Sequence, residues 1–428
     1  MVRLDAASGD FEAHFSALVD DRREADPDVS RDVAAILAEV RRHGDAALHR
    51  LTAKFDRFDL DAAGWQVPLA DCRAALAALD PELRQALELA AGRILTYHEA
   101  QRPHDSDVTD NVGVRMGARW GAVDAAGLYV PGGRAAYPSS VLMNAIPAKV
   151  AGVARLVMVT PTPDGEINPL VLAAAALAGV DEIWRIGGAQ AVAALAYGTD
   201  RIASVDVVTG PGNAWVAEAK RQLYGVVGID MVAGPSEILI VADGENNPDW
   251  IAADLLSQAE HDPASQSILI TDDPGFGDRV RAAVEVRLAT LTTQDVARAS
   301  WEAHGAIITV RALEDALPLV DRLAPEHLEL AVADPEPLFA RVRHAGSIFL
   351  GRHTPEAIGD YVGGPNHVLP TGRRARFSSG LSVLDFMKRT SFLACDAAAL
   401  RTIGPAALAL ARAEGLPAHA ASVAERLA

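Results

Sequence analysis

Gln258 and His261 are the residues whose types and spacing point most directly to chemistry. They lie three positions apart in a segment whose apolar spacing predicts an amphipathic helix, so both side chains leave the same face of it. Pro263 ends this helix. An amide oxygen beside an imidazole nitrogen could supply half of a zinc or manganese site. A pair of this kind is more often a solvated helix end, so the hypothesis needs ligands from elsewhere in the chain.

The pair Glu326 and His327 is a second candidate site. It follows Pro325 and leads into the apolar run 328–332, which places two titratable groups at the end of a predicted strand. Strand ends are where active sites lie in open α/β sheets. An imidazole can take and return a proton near neutral pH, and a carboxylate can orient or deprotonate water. Adjacency alone favours an ordinary structural pair.

Two further stretches carry possible ligands. Asp360 offers a hard oxygen on a predicted glycine-flanked loop, where the ordinary alternative is a turn aspartate. His419 lies in a helical tail, just after a predicted helix end at Gly415 and a restart at Pro417. Together with Gln258 and His261, these residues would form a four-ligand site of nitrogen and oxygen atoms. Their spacing does not establish that the fold brings them together.

Glycines stand at the predicted strand-to-helix turns 132–133, 187–188 and 210–212. Such turns let backbone N–H groups approach a phosphate at a helix N-terminus, so a nucleotide is a candidate ligand. None of them matches the G-x-G-x-x-G pattern, because Trp215 stands where the third glycine should follow Gly212. Glycine-rich turns between a strand and a helix often bind no ligand and serve only as turns.

The arrangement of predicted elements indicates an α/β fold. Helices are predicted for 29–55 and 81–101, and strands and helices alternate from Gly127 onward, which is typical of parallel, doubly wound sheets. The alternation divides near residue 236 into two α/β units. From Ser382 the sequence is Ala-rich and is predicted to be a helical appendage.

Composition limits the possible functions. The 428 residues exceed what one core usually holds, so two or more domains are expected. A net charge of -18 argues against a nucleic-acid partner and fits a protein that meets small molecules. Cys72 and Cys395 fit reduced thiols in a cytoplasmic protein. An acidic N-terminus and short apolar runs predict neither a signal peptide nor a membrane span.

Several blocks of the chain, in order and over almost its whole length, resemble histidinol dehydrogenase. These blocks are 129–152, 210–213, 233–237, 257–261, 324–327, 359–360 and 366–371. They are long and specific to that family, so the resemblance is far stronger than any single motif described above.

The resemblance implies an enzyme that requires NAD and one zinc ion per subunit, and that oxidises L-histidinol through L-histidinal to L-histidine. It implies two incomplete Rossmann-like doubly wound domains with small N- and C-terminal helical extensions. The expected division is an extension at 1–26, a first domain from 27–128 and 237–381 with the zinc and catalytic residues, an NAD-binding domain at 129–236, and an extension at 382–428. It also implies an intertwined homodimer whose active site is shared between subunits.

The resemblance also implies roles for individual residues. The expected zinc ligands are Gln258, His261, Asp360 and His419 of the partner subunit. Glu326 and His327 are the expected acid/base pair. Ser236, Glu414, His327 and the zinc ligands are expected to contact substrate, and Tyr129, Gln190 and Asn213 are expected to contact NAD.

Other functions remain alternatives at this point. The nearest are related zinc- and NAD-dependent dehydrogenases of other polyols, such as sulfonate diols. Glu414 and His419, both at the expected places, favour the imidazole substrate. The same ligand types with a Glu-His pair would also suit a metal-dependent hydrolase. A non-catalytic nucleotide-binding protein is a third class.

Overall fold

The structure is a computed structural model that describes residues 1–21, 27–132 and 137–428. Its strands are β1 (Val2–Asp5), β2 (Ser106–Thr109), β3 (Arg115–Ala122), β4 (Ala125–Tyr129), β5 (Arg155–Val159), β6 (Glu182–Trp184), β7 (Val207–Thr209), β8 (Gly228–Ile229), β9 (Glu237–Ala242), β10 (Gln266–Thr271), β11 (Ala306–Thr309), β12 (His327–Ala331), β13 (Ser347–Leu350) and β14 (Met387–Ala394).

The α-helices are α1 (Phe11–Asp20), α2 (Pro27–Phe55), α3 (Leu60–Ala63), α4 (Leu69–Ala78), α5 (Pro81–Glu99), α6 (Pro138–Ala151), α7 (Pro169–Ala178), α8 (Gly188–Tyr197), α9 (Ala214–Leu223), α10 (Pro248–Ala259), α11 (Pro274–Leu288), α12 (Gln294–His304), α13 (Leu317–Leu323), α14 (Glu336–Phe339), α15 (Glu356–Tyr361), α16 (Ala397–Ala413) and α17 (Pro417–Leu427). Short 3₁₀ turns lie at Pro163–Gly165, Leu313–Ala316, Arg374–Arg376 and Val383–Phe386.

A six-stranded parallel sheet with the order β1-β11-β10-β9-β12-β13 holds the Glu-His pair. Its central strands β9, β10 and β12 are buried along their whole length. One core lies on each face of this sheet. Strands buried on both faces read as continuous apolar runs, which is why the alternation of runs and helices predicted parallel pairing.

A second, five-stranded parallel sheet has the order β6-β5-β4-β7-β8. The chain leaves β4 toward β5 and β6 on one side, and later adds β7 and β8 on the other side. This change of direction opens a crevice at the carboxyl ends of β4 and β7, where open α/β sheets bind ligands. The predicted fold class, with two doubly wound parallel sheets and helical termini, is confirmed.

The helices α2, α4 and α5 differ from their predicted grouping. Residues 27–128 were expected to belong with 237–381, yet α2 packs on α8 and α9, and α4 and α5 pack on α7 and α6. These helices share their cores with the five-stranded sheet. The apolar stripe of a helix indicates that one face is buried, but it does not specify the sheet that covers it.

The two ends of the chain also depart from simple helical extensions. Within the described part of the predicted extension 1–26, β1 pairs with β11 and so completes the six-stranded sheet. After Ser382, β14 pairs antiparallel with β3 along eight residues, and β2 completes this three-stranded sheet. Both β2 and β14 are largely exposed and carry no apolar alternation that would have predicted them. The helices α16 and α17 then follow as predicted.

Among the described residues, no helix combines the length and the apolar character needed to cross a bilayer.

Candidate active site

The Glu-His pair lies at the amino end of β12. His327 is the first residue of that strand and stands opposite Ile238 of β9, so Ser236 and Glu237 are close by in the sheet. Gln258 and His261 reach the same end, because α10 runs back from the far end of β9 and the chain then enters β10. Active sites of open α/β sheets usually lie at the carboxyl ends of strands. Here the Glu-His pair lies at the opposite end of its sheet.

His327 is held as a neutral base by a backbone carbonyl. Its side chain is almost completely buried, and its Nδ1 lies 3.0 Å from the carbonyl oxygen of Glu237. A carbonyl only accepts hydrogen bonds, so Nδ1 carries the proton and Nε2 keeps its lone pair. Nε2 is buried without a hydrogen-bond partner among the described residues, 3.9 Å from Asp360 Oδ1. Burial lowers the pKa of His327 to about 4, so the ring is neutral at pH 7.

Glu326 is held by the same residue of β9. Its Oε2 accepts a hydrogen bond of 2.9 Å from the backbone N–H of Glu237, and it lies 3.7 Å from His327 Nδ1. Glu326 is also buried. The N–H of Glu237 therefore orients the carboxylate, and the carbonyl of Glu237 orients the imidazole.

Gln258 and His261 lie side by side as predicted. Gln258 is fully buried in the last turn of α10, and its Nε2 is 3.3 Å from His261 Nδ1. His261 lies just past the end of the helix and is exposed. The other amide atom, Gln258 Oε1, is buried and accepts no hydrogen bond from the described residues. A buried oxygen without a donor is costly unless something else, such as a cation, binds it.

Asp360 lies in the short helix α15 rather than on the predicted loop. His367 Nδ1 donates to its backbone oxygen at 3.0 Å. Burial lowers the pKa of His367, while the charge of Asp360 raises it and that of His261 lowers it. Asp360 and His261 have the same opposing effects on the pKa of His327. Asp360 Oδ1 also lies 3.9 Å from both His327 Nε2 and His367 Nδ1, so Asp360 lies beside the two imidazoles.

The sequence did not predict a role for Glu356 or His367. Glu356 is buried at the start of α15, and its Oε1 lies 3.3 Å from His327 Nδ1. Within the described ranges, His327, Glu356 and Asp360 have ligand atoms within 4.8 Å of one another and form a possible metal-binding group. No spacing rule links β12 to α15, so only the three-dimensional fold reveals this group.

The residues expected to contact a nucleotide lie at the carboxyl edge of the other sheet. Tyr129 ends β4, and its hydroxyl oxygen accepts a 3.0 Å hydrogen bond from the N–H of Gly188. Burial raises the pKa of Tyr129 to about 12, so the phenol stays neutral. Gln190 is buried in the first turn of α8, and Asn213 caps α9 by accepting from two backbone N–H groups. Of the first glycine turn, Gly133 lies outside the described residues.

Comparisons with known proteins decide the family. The family profile described as histidinol dehydrogenase matches residues 20–427. The chain belongs to the histidinol dehydrogenase family. A histidinol dehydrogenase from Zymomonas mobilis subsp. mobilis is 68% identical over 427 residues, which cover 100% of this chain and 99% of the relative. One from Rhodospirillum rubrum is 66% identical, covering 100% and 98%. The crystal structure of a histidinol dehydrogenase from Elizabethkingia anophelis superposes with a TM-score of 0.94 at 35% identity, covering 100% and 98%.

As a member of the histidinol dehydrogenase family, the chain is an oxidoreductase. The C-terminal helices α16 and α17 carry the two remaining predicted site residues. Glu414 directly follows α16 and His419 lies in the first turn of α17, and both are exposed. The predicted break holds, since Gly415 has the left-handed φ of 70° and Pro417 begins the next helix. Neither residue belongs to the possible metal-binding group found within the described chain.

The residues present suit the metal that the family implies. The unbonded amide oxygen of Gln258, the imidazole of His261 and the carboxylate of Asp360 are nitrogen and oxygen donors of the kind that zinc or manganese accepts.

Proposed function

We propose that the chain oxidises L-histidinol through L-histidinal to L-histidine, with two molecules of NAD⁺ as successive hydride acceptors. Family membership supports histidinol as the substrate. The observation that carries the mechanism is the neutral His327, whose unprotonated Nε2 lies 3.9 Å from Asp360, one of the proposed zinc ligands.

The first step is the oxidation of an alcohol to an aldehyde. His327 Nε2 takes the hydroxyl proton while the hydride leaves the same carbon for NAD⁺, which yields the aldehyde, NADH and one proton. The hydrogen bond from Nδ1 to the Glu237 carbonyl keeps the ring in the tautomer that this step requires. Burial keeps the base unprotonated at every pH well above about 4.

The second step requires water, because an aldehyde carbon can release a hydride as an alcohol does only after hydration. Glu326, fixed beside His327 by the Glu237 N–H, orients that water and draws a proton from it. His327 again takes the hydroxyl proton of the hydrate as the second hydride departs. Aldehyde, water and NAD⁺ yield the carboxylate, NADH and two protons. The aldehyde must stay held while the first NADH leaves.

Zinc would be held by Gln258, His261, Asp360 and His419 of the partner subunit, and when bound it would fix the pose of the substrate through its nitrogens. Ser236, beside Glu237, and Glu414 of the other subunit would contact the substrate. This arrangement requires an intertwined homodimer, and the exposed positions of Glu414 and His419 support it.

NAD would lie at the carboxyl ends of β4 and β7, against Tyr129, Gln190 and Asn213. The reversal of strand order there and the start of α8 and α9 at glycine turns support this position.

The experiment that tests the proposal is the stoichiometry of purified protein supplied with zinc, a limiting amount of L-histidinol and excess NAD⁺. We expect two NADH per histidinol consumed, together with L-histidine as the product. One NADH per histidinol would mean that the reaction stops at the aldehyde and would contradict the second oxidation. No NADH at all would favour a hydrolase or a non-catalytic nucleotide-binding protein. Parallel assays of the same protein with sulfonate diols test the alternative that it is a related dehydrogenase. Faster oxidation of those diols than of L-histidinol would favour that alternative.

A further inference from the structure

A buried ion pair lies beneath the glycine turn at 210–212. The ammonium of Lys220 in α9 contacts the carboxylate of Asp230, which follows β8, and their side chains are 2% and 0% exposed. Taking two charges out of water is costly, and their attraction offsets the cost only when further hydrogen bonds satisfy both groups. The partners of this pair are therefore informative.

Both charged groups bind the backbone of one residue, Gly210. Lys220 Nζ donates to the Gly210 carbonyl oxygen at 3.0 Å, and Asp230 Oδ2 accepts from the Gly210 N–H at 2.9 Å. The other carboxylate oxygen of Asp230 accepts from the N–H of Met231 at 2.6 Å. The ion pair thus holds both polar groups of the Gly210 backbone in one orientation.

Gly210 occupies a position that other residues would strain. Its φ is +111°, and a Cβ added there would lie 2.1 Å from the backbone oxygen of Tyr129. The turn therefore packs directly against the end of β4. Three residues on, Asn213 caps α9, the helix that carries Lys220 two turns later. The ion pair joins α9, the end of β8 and the Gly210 turn at the crevice between β4 and β7.

We propose that Lys220 and Asp230 are positioning residues for the nucleotide. They hold the turn 210–213 in the conformation that accepts NAD before NAD arrives, so binding does not have to order this part of the chain. This inference rests on the proposed NAD site at this edge of the sheet. It adds residues that do not touch the nucleotide themselves but act through Gly210.

The first test is Lys220→Met in the full-length protein, with NAD titrated directly by fluorescence and then in steady-state kinetics. Loss of the donor to Gly210 should raise the NAD dissociation constant and KM roughly three- to tenfold. The kcat at saturating NAD and the KM for L-histidinol should stay unchanged. A general loss of structure would instead change all of these parameters together.

The second variant guards against misfolding. Lys220→Met alone leaves the Asp230 charge buried and unpaired, whereas Lys220→Met/Asp230→Asn removes both charges and keeps an oxygen that can accept from the Gly210 N–H. We expect the double variant to be more stable than the single one and still to bind NAD more weakly than wild type. Binding is measured below the melting transition of each variant.

The matched control is Lys149→Met. Lys149 pairs with Asp181 at 3.0 Å in the same domain, but Asp181 precedes β6 and the pair is 34% and 42% exposed at the opposite edge of the sheet. Its loss should leave NAD binding unchanged. Wild-type protein that failed to bind NAD would overturn the proposed function. If the wild-type protein binds NAD and the double variant binds it equally well, only the positioning role of Lys220 and Asp230 is overturned.

Discussion

The substitution His327→Asn tests whether this residue transfers protons or binds the metal. An asparagine amide can take the place of Nδ1 and still donate to the Glu237 carbonyl, but no atom replaces Nε2, the atom that faces Asp360. We expect kcat to fall by roughly 10²- to 10⁴-fold, the usual contribution of a general base. This corresponds to about 3–5 kcal/mol in the activation barrier. Zinc content should stay at the wild-type level.

The zinc measurement is needed because two different sets of residues at this site could bind the metal. His327, Glu356 and Asp360 are close enough to bind an ion, whereas the proposed set uses Gln258 and His261 with Asp360. NADH production is followed by absorbance, and zinc is measured by atomic absorption in the same preparations. The matched variant His261→Asn should lose most of its zinc. Loss of zinc from His327→Asn but not from His261→Asn would refute the assignment of His327 as the base.

Two further predictions concern the metal and a buried carboxyl. Removing zinc with a chelator should stop NADH production, and returning zinc should restore it. The NAD dissociation constant measured by fluorescence should stay unchanged, because the proposed NAD contacts Tyr129 and Asn213 lie at the edge of the other sheet. A parallel loss of NAD binding would contradict this separation. Burial, together with the nearby Asp254, raises the pKa of Glu329 well above its ordinary value, so the folded state binds this proton more tightly than the unfolded chain. The resulting decrease in the free energy of unfolding is absent below the pKa of about 4.3 that this carboxyl has in the unfolded chain. It grows as pH rises toward the pKa of Glu329 in the folded protein. Glu329→Gln should therefore raise the melting temperature at neutral pH but not near pH 4, and equal gains at both would contradict this explanation.

The sequence predicted the elements of the fold well, because local patterns define them. The apolar positions Val33, Leu37 and Leu48 repeat at helical spacing, and all three are buried in α2. Pro81 begins α5, and Asp80 accepts the N–H of Glu82 as a cap should. The grouping of elements was harder to predict. The partner sheet of α2 depends on long-range packing, and the pairing of β14 with β3 joins exposed strands more than 260 positions apart in the printed sequence.

The candidate site shows the same division. Gln258 and His261 are neighbours in the chain, so their proximity followed from helical spacing. Residue type named Asp360, Glu326 and His327 as candidates. The roles expected of them came from resemblance to a family, since adjacency alone favoured an ordinary pair. Glu356 approaches His327 only because α15 packs over the amino end of β12, and no local pattern records that contact.

The hydrogen bonds of Glu237 have a consequence for how this site tolerates change. Its peptide N–H and carbonyl, at the amino end of the buried strand β9, orient Glu326 and His327 respectively. Every amino acid except proline carries both of these main-chain groups, so the alignment of the proposed acid/base pair is insulated from most side-chain replacements nearby. Specificity for the substrate can therefore diverge through the surrounding residues while the proposed acid/base pair keeps its geometry.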